Sequence, residues 1–376
     1  MDRTLNDYIK KDLGRKIVLL SGPHQSGKTT LSKMVSTDYD YLNFDASDDR
    51  LAILAKRWDR HKELLILDEL HKLKNWKGWL KGIYDTEGLS PSILVTGSAR
   101  LDTYSKVGDS LAGRYFLFHL HPFDLKELAE VNRALETEPV LELLLQVGGF
   151  PQPFLQGSRD YYNRWEKTHL DIILRQDLIE LESIKELTLV ETLIQLMRGR
   201  VASPISHASL GRDLQCRDKS VARWLRLLES LYVVFKLTPY HRNIGRSLLK
   251  APKYYFFDSG QVAGDRAVKL ENLVAAALLK EIQFRQDCLG QEWSLHYLRS
   301  KDKREVYFAL LREGEVKYLI EVKWAESDVA PNLAYFGGFF PQASRLQLVK
   351  ELRREQTLPD GTEIRRADKW LADLDL

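Results

Sequence analysis

Short apolar runs divide the first 120 residues of the chain into alternating strands and helices. Four of them, Ile17–Leu20, Leu64–Leu67, Ile93–Val95 and Tyr115–Phe118, are almost continuously apolar, and Tyr41–Phe44 is a weaker fifth. Runs of this kind predict strands that are buried on both faces, because a half-exposed strand would alternate apolar and polar positions. The pattern therefore predicts a parallel sheet with helices on both faces, an α/β fold.

The middle of the chain changes to a helical pattern and then to a mixed one. Residues 122–200 are mostly helical in pattern, with a long stretch from about Trp165 to Met197. Residues 201–258 contain two short helical segments and then two strand-like runs, Tyr232–Leu237 and Tyr254–Phe257, with a basic loop between the runs. A helix, a turn, a helix and a hairpin are the outline of a winged helix.

The last part of the chain combines one amphipathic helix with strands that alternate in polarity. Apolar residues recur at helical spacing from Leu270 to Ile282. They occupy every second position in Val306–Leu310 and in Val316–Trp324. The pattern predicts a second α/β domain after residue 258.

Charge and cysteine content narrow the class of protein. The 376 residues include 56 basic and 53 acidic side chains, a net charge of +3, so any affinity for nucleic acid has to come from a local basic patch. The two cysteines, Cys216 and Cys288, fit a reducing cytoplasm better than a disulfide framework. The chain has no apolar signal segment and no run near the roughly 20 residues of a membrane span. We expect a cytoplasmic protein without a membrane partner.

The segment after the first predicted strand has the pattern of a phosphate-binding loop. Residues 22–29 fit GxxxxGK[ST] at every fixed position, and a helical segment follows from Leu31. The glycines let backbone amides turn toward phosphate oxygens, Lys28 can reach the β- and γ-phosphates, and the Thr29 hydroxyl can ligate Mg²⁺. The alternative is a glycine turn with an exposed lysine. The predicted nucleotide-binding residues are Gly22, Pro23, His24, Gln25, Ser26, Gly27, Lys28, Thr29 and Thr30.

Two acidic residues, Asp68 and Glu69, follow the apolar run Leu64–Leu67. They are expected at the carboxyl edge of the sheet, where doubly wound sheets bind ligands. Asp68 is predicted to bind nucleotide-associated Mg²⁺, and Glu69 to orient or deprotonate the attacking water. Alone, such a strand end would be an ordinary surface feature. With the loop at 22–29 it predicts a site for ATP and Mg²⁺.

Residues beyond the next strand are further candidates. Ser98 or Thr96 could hydrogen-bond the γ-phosphate or the attacking water. Their position resembles the sensor position of AAA-type ATPases. The alternative is a strand followed by a simple Gly-Ser turn. An arginine from this chain, or from a neighbouring subunit of a homo-oligomer, would stabilise the transition state. We favour Arg114 over Arg100 for that catalytic role, although each also fits an ordinary surface arginine.

The whole chain resembles a large group of prokaryotic predicted ATPases. They join an AAA-like P-loop domain to a winged helix and a C-terminal domain of uncharacterised function. The resemblance implies an ATP-binding fold of the AAA+ type. The residues that carry it are the loop 22–29, Leu67-Asp68-Glu69, Thr96-Gly97-Ser98, Leu111-Ala112-Gly113-Arg114, Pro122-Phe123 with Glu127, Phe257-Asp258-Ser259-Gly260, Glu271-Asn272-Leu273-Val274 and Ile320-Glu321-Val322-Lys323.

The C-terminal region also resembles the core of PD-(D/E)xK nucleases. That core implies an acid on a helix, an acid on one strand and Glu-x-Lys on the next; Glu271, Glu321 and Lys323 would fill three of these positions. At the middle acid the chain has Tyr307, and a phenol is a poor Mg²⁺ ligand. Glu305 lies on the same face of the strand as Tyr307, but about 7 Å away from that position along the strand. We expect a nuclease-like fold without nuclease activity; the alternative is a solvated face of an edge strand.

The second helix of the predicted winged helix has a basic face. Lys219, Arg223 and Arg226 recur there at helical spacing, and Arg242 and Arg246 lie in the predicted wing loop. Such a surface can neutralise DNA phosphates, so contacts with phosphates are expected more than base reading. The alternatives are a solvated basic face, or a lid or subunit contact.

These patterns together predict four regions and one leading function. We expect a P-loop ATPase core at 1–121, a helical lid and linker at 122–200, a winged helix at 201–258 and a PD-(D/E)xK-like domain at 259–376. The leading hypothesis is an ATPase whose nucleotide state controls engagement of a partner, with DNA the favoured partner. Two alternatives remain open: an ATP-gated DNA-binding or assembly module with negligible turnover, and a Mg²⁺-dependent nuclease.

Overall fold

The chain folds into two compact units. The structure, a computed structural model, describes residues 3–97, 111–174, 184–241, 251–325 and 328–376. The first unit contains Met1–Pro122 together with Ser230–Tyr232, and the second contains Phe123–Glu229 together with Val233–Leu376. The finer division of the second unit into lid, winged helix and nuclease-like domain remains a prediction.

The first unit is built on a parallel five-stranded sheet. The strands are β1 (Ile17–Ser21), β2 (Tyr39–Asn43), β3 (Leu64–Asp68), β4 (Ser92–Gly97) and β5 (Tyr115–His119). Their spatial order is β2-β3-β4-β1-β5, and every neighbouring pair is parallel. The helices are α1 (Leu5–Asp12), α2 (Lys28–Met34), α3 (Ser47–Leu54) and α4 (Trp76–Glu87), with a 3-10 turn at Leu70–Lys72. The predicted parallel α/β sheet is confirmed.

Continuous apolar sequence explains why the central strands are buried on both faces. All five residues of β1 and of β3 are buried. On one face, Leu19 and Leu67 belong to an apolar cluster that includes Leu80 of α4. Burial of each such side chain contributes about 1.5–3 kcal/mol. Because β3, β4 and β1 are adjacent and parallel, the residues that follow them meet at one edge of the sheet.

Helices form the first part of the second unit. They are α5 (Leu125–Val131), α6 (Thr137–Val147), α7 (Pro151–Gln156), α8 (Arg159–Ile172) and α9 (Ile184–Arg198). The predicted long stretch from Trp165 to Met197 is helical over residues 165–172 and 184–197, and residues 175–183 lie outside the described part of the chain. In the parts of the chain that the structure describes, no helix is both long enough and apolar enough to cross a membrane.

Two helices and a hairpin follow in the order expected for a winged helix. They are α10 (His207–Asp213), α11 (Asp218–Ser230), β6 (Val234–Leu237) and β7 (Lys253–Phe256), and the two strands are antiparallel. Helix α11 buries Val221, Trp224 and Leu225, which share its apolar face. The winged-helix assignment itself stays a prediction.

A mixed six-stranded sheet completes the second unit. Helix α12 (Arg266–Leu289) precedes three antiparallel strands, β8 (Trp293–Arg299), β9 (Glu305–Arg312) and β10 (Glu315–Ala325). After α13 (Pro331–Gly337), strand β11 (Ser344–Glu351) pairs in parallel with β10. Strands β12 (Gln356–Thr357) and β13 (Glu363–Arg366) and helix α14 (Ala367–Ala372) end the chain. The predicted second α/β domain is therefore present as a separate mixed sheet.

Candidate functional site

The loop at 22–27 joins β1 to α2 and requires glycine at two positions. Gly27 has a φ of 98°, a left-handed conformation that costs other residues free energy. A Cβ atom on Gly22 would lie 2.3 Å from the carbonyl oxygen of Leu120, so the loop backbone can pass there only without a side chain. These two requirements explain the fixed glycines of the sequence pattern.

Lys28 points back into this loop. Its side chain is buried, and Nζ donates to the carbonyl oxygens of Gly22 (3.0 Å) and Pro23 (2.8 Å). The fully buried hydroxyl of Ser26 has no hydrogen-bond partner among the described residues. A buried ammonium next to an unsatisfied hydroxyl fits a loop that accepts an anion such as a phosphate.

Arg3 supports the loop from outside and was missed by sequence reasoning. Its guanidinium is buried and donates to the carbonyl oxygens of Ser26 (3.0 Å) and His121 (2.6 Å). Hydrogen bonds from a charged donor are stronger than neutral ones and fix the backbone of the loop. No motif marks Arg3, because its two partners are 23 and 118 residues away in the chain.

Asp68 is the centre of a hydroxyl cluster at the end of β3. Its buried carboxylate accepts hydrogen bonds from Thr29 Oγ1 (2.8 Å), from the Tyr41 hydroxyl (2.7 Å) and from the Thr96 hydroxyl. The structure thus brings together Thr29 and Asp68, the two predicted metal-binding residues. Carboxylate and hydroxyl oxygens are hard ligands that suit Mg²⁺. Thr96 contacts this carboxylate, and Ser98 lies outside the described residues.

Tyr41 is a second residue that sequence reasoning missed. Burial, followed by the hydrogen bond to Asp68, raises the pKa of its hydroxyl well above the ordinary value. The phenol therefore stays protonated and donates to Asp68 at any physiological pH. The signal was weak: β2 is the least apolar of the five predicted strands, and its neighbour β3 ends in Asp68.

Glu69 stands next to Asp68 in a strained backbone conformation. Its φ is 56°, which is uncommon outside glycine. Burial raises the pKa of its carboxyl group, and the charges of Lys28 and His24 oppose that rise. Oε2 lies 3.7 Å from His71 Nε2 and 3.8 Å from Lys72 Nζ. A carboxylate with a raised pKa is a stronger base, which suits a group that takes a proton from water.

Arg114 lies at the far edge of the sheet from the loop. It directly precedes β5, and its carbonyl accepts from the amide of Ile17, the first residue of β1 (3.0 Å). The guanidinium forms an ion pair with Asp85 (2.9 Å). Since the loop leaves the opposite end of β1, Arg114 does not reach it within one chain. A transition-state role for Arg114 would require a second copy of the chain, and Arg100 lies outside the described residues.

The predicted DNA contacts are only partly described. Lys219 and Arg226 are exposed on α11. Arg223, on the same helix, forms an ion pair with Glu186 (2.5 Å), which reduces the charge it offers to a phosphate. The predicted wing residues Arg242 and Arg246 lie outside the described residues.

The three residues of the predicted degenerate nuclease site lie around one cluster. Glu271 of α12 and Glu321 of β10 are both buried, and Lys323 Nζ is 3.8 Å from Glu321 Oε2. Tyr307 also faces this cluster, with the Lys323 ammonium 5.5 Å from its ring centre. Burial raises the pKa of Glu321 to about 8. Sequence reasoning missed a further member, Lys253, which is buried in the same cluster.

Comparison with known proteins supports the assignment of the first sheet. Residues 14–129 match the family model of an AAA domain. This match covers the loop, β3 and Asp68, so the sheet with its loop is similar to an AAA-type P-loop domain. Residues 138–267 match a domain of unknown function, DUF8612.

Relatives share part or all of the chain at low identity. An uncharacterised protein of Mycobacterium tuberculosis is 29% identical over 65% of this chain and 54% of its own length, and one of Mycobacterium bovis matches equally. The chain thus spans about half the length of these mycobacterial relatives. An uncharacterised protein of Haemophilus influenzae is 22% identical over 94% of both chains.

Solved structures show a distant likeness. The RuvB Holliday junction branch migration motor of Thermotoga maritima has a TM-score of 0.33 and 16% identity, covering 65% of this chain and 92% of its own. The DNA clamp loader delta protein of Bacillus subtilis has a TM-score of 0.28 and 12% identity, covering 60% and 88%. Similarity at this level carries no conclusion about function.

Proposed function

We propose that the chain binds ATP with Mg²⁺ at the loop 22–29 and hydrolyses it. One observation carries the proposal: the Asp68 carboxylate accepts from the Thr29 hydroxyl at 2.8 Å beside a loop that encloses the Lys28 ammonium. This pairing of a cation, a hydroxyl and a carboxylate is what a magnesium nucleotide requires. The AAA-domain match over residues 14–129 also supports it.

Each residue has a defined part in this proposal. Backbone amides of the loop and the Lys28 ammonium would bind phosphate oxygens, and Thr29 and Asp68 would hold the metal. When bound, Mg²⁺ neutralises charge on the β- and γ-phosphate oxygens. Glu69 accepts a proton from the attacking water while the water oxygen bonds to the γ-phosphorus. The bond from that phosphorus to the bridging oxygen breaks, which gives ADP and inorganic phosphate.

Phosphate release tests the assignment of Glu69. We expect Glu69→Gln to lower the rate about 100-fold while nucleotide binding is retained, since the amide cannot accept the proton. Glu63→Gln is the matched control: Glu63 is exposed and directly precedes β3 at the opposite edge of the sheet. Hydrolysis by Glu69→Gln at the parent rate would show that another group activates the water. Negligible turnover by the parent chain would favour a binding module.

DNA is the partner that we propose for the second unit. The proposal rests on Lys219 and Arg226, two exposed cations on helix α11. Each cation that meets a phosphate releases about one counterion, so affinity should fall steeply with salt.

Anisotropy of a labelled DNA duplex tests this contact. The double variant Lys219→Ala/Arg226→Ala should bind more weakly, with a salt slope reduced by about 2. The double variant Lys10→Ala/Lys11→Ala removes the same number of exposed cations from helix α1 and should bind like the parent. Equal affinity and slope for all three proteins would rule out α11 as the DNA-binding surface.

A further inference from the structure

A buried lysine lies among the acidic residues of the second unit. Lys253, the first residue of β7, is 1% exposed. Its Nζ atom is 2.5 Å from Glu305 Oε1 and 3.7 Å from Glu271 Oε1. An isolated ammonium is very costly to bury, so these two carboxylates provide the charge that makes its position tolerable.

Aromatic residues close the space around the Lys253 ammonium. The Nζ atom lies 5.2 Å from the ring centre of Tyr297 and 5.1 Å from that of Tyr307. The Tyr255 hydroxyl donates to Glu271 Oε1 at 2.8 Å, which holds this carboxylate in place. Residues from β7, β8, β9 and α12 therefore enclose one positive charge, so this ammonium has little freedom to leave.

Glu321 adds an unsatisfied acceptor to the same cluster. It is 2% exposed, and its Oε1 atom has no hydrogen-bond partner among the described residues. Glu321, Glu305 and Tyr307 line a cleft of about 550 Å³. A buried polar atom without a partner is uncommon and indicates a missing interaction. The cleft offers a path by which a small cation could reach the cluster from solvent.

The resemblance to PD-(D/E)xK nucleases implies a divalent metal at this position, and the residues present do not fit one. The ammonium of Lys253 already lies between the acids of α12 and β9 and would repel a second cation. Tyr307 offers only a protonated phenol, because burial raises the pKa of its hydroxyl. With Lys253 in place, no group of three or more His, Cys, Asp or Glu side chains in the described parts of the chain is arranged to hold a metal.

We propose that the Lys253 ammonium is a built-in cation that replaces a divalent metal ion in this cluster. The Lys253 charge satisfies Glu271 and, together with Arg299 at 3.0 Å, Glu305. It makes the domain independent of metal, without nuclease chemistry. It follows that removal of this charge leaves three carboxyl groups facing one space. That space then accepts a hard divalent cation such as Mn²⁺. The proposal does not depend on nucleotide binding at the loop.

Electron paramagnetic resonance of Mn²⁺ tests whether this metal ion can occupy the cluster when the Lys253 ammonium is removed. The full chain is used without nucleotide and with Asp68→Asn, so that the loop site does not contribute. In this background Lys253→Met should bind one additional Mn²⁺ per chain, whereas native Lys253 and Lys253→Arg should bind none at the cluster. Addition of Glu271→Gln to Lys253→Met should abolish the new site.

Stability measurements keep the test decisive if Lys253→Met folds poorly. Mn²⁺ should then raise its melting temperature or restore cooperative unfolding, and it should leave Lys253→Arg unchanged. The proposal is wrong if folded Lys253→Met gains no Mn²⁺, or if Mn²⁺ fails to rescue an unfolded variant. It is also wrong if the chain with native Lys253 binds Mn²⁺ in a way that Glu271→Gln removes, or nicks plasmid DNA in a way that Glu321→Ala removes.

Discussion

Asp68 in the first unit and Glu305 in the second are both acids at one end of a sheet strand, but their neighbours differ. Asp68 accepts from Thr29 and Tyr41, which are neutral hydroxyl groups. Glu305 lies against the ammonium of Lys253 at 2.5 Å. The first acid keeps its negative charge available for a cation from outside, and the second has that charge neutralised within the fold.

This difference shows why an acid at a strand end does not define a site by itself. Hydroxyl donors orient a carboxylate without cancelling its charge, so it can still attract a metal. A buried ammonium cancels the charge and makes a structural ion pair, whose loss leaves an uncompensated charge. The counter-charge decides between a binding site and a structural cluster, and it comes from residues distant in sequence.

The largest expected effect is on stability, after loss of the built-in cation. Lys253→Ala should lower the free energy of unfolding by about 3–5 kcal/mol, because the buried Glu271 carboxylate loses its cation and the partly buried Glu305 is left with Arg299 at 3.0 Å. Chemical denaturation without divalent metal measures this change. Lys236→Ala is the control: Lys236 is on the neighbouring strand β6, its side chain is 39% exposed, and it pairs with Glu229 at 3.5 Å. Equal effects of the two substitutions would show that Lys253 is not compensating buried charge.

A smaller effect on stability should come from Asp258, a buried acid that has hydrogen-bond donors but no ion-pair partner among the described residues. The Tyr162 hydroxyl (2.8 Å) and the Gly260 amide (3.1 Å) donate to it. Burial nevertheless raises its pKa to about 7. A raised pKa favours the protonated form of the folded chain. Its contribution to stability is therefore fully present below about pH 4 and is lost as the pH rises to about 7.

Unfolding of Asp258→Asn across this range measures the contribution. The parent should lose at least about 1 kcal/mol more stability than the variant between pH 5 and pH 8, since the amide does not titrate. Parallel curves for the two proteins would mean that Asp258 is ionised throughout.

The smallest expected effect is on nucleotide binding. It distinguishes the orientation of the Asp68 carboxylate from its charge. Tyr41→Phe removes one hydroxyl donor and leaves the carboxylate, so magnesium nucleotide should bind about 3- to 10-fold more weakly, as expected for one hydrogen bond. Binding of nucleotide without Mg²⁺ should not change. Tyr39→Phe is a matched control at the first position of the same strand. An equal loss with and without Mg²⁺ would indicate damage to the fold rather than to the orientation of Asp68.

The sequence predicts local features well and distant partners poorly. The loop at 22–29 and the strand that ends at Asp68 were predictable, because each consists of consecutive residues with a known pattern. Arg3 and Tyr41 were not, because each reaches its partners only after the chain has folded. The edge at which Arg114 lies was in fact predictable: it directly precedes a strand, and parallel strands place such residues opposite their carboxyl ends.

In the second unit, too, the sequence predicts local features but not the partners that are distant in the chain. The positions of Glu271, Glu321 and Lys323 follow from one helix and one strand. Lys253 comes from a different hairpin, 18 residues before Glu271 and 52 before Glu305, and no periodicity connects them. A lysine can be buried at this position only because those distant residues provide the opposite charges.

Titration calorimetry of the folded full chain with magnesium ATP measures whether the loop at 22–29 binds nucleotide. We predict saturable binding that Lys28→Ala weakens about 100-fold or more, because the ammonium inside the loop is lost. Lys62→Ala should leave binding unchanged, since Lys62 precedes β3 at the opposite edge of the sheet and pairs with Asp38. The account is contradicted if well-folded protein takes up no magnesium nucleotide at millimolar concentration, or if Lys28→Ala binds as tightly as the parent.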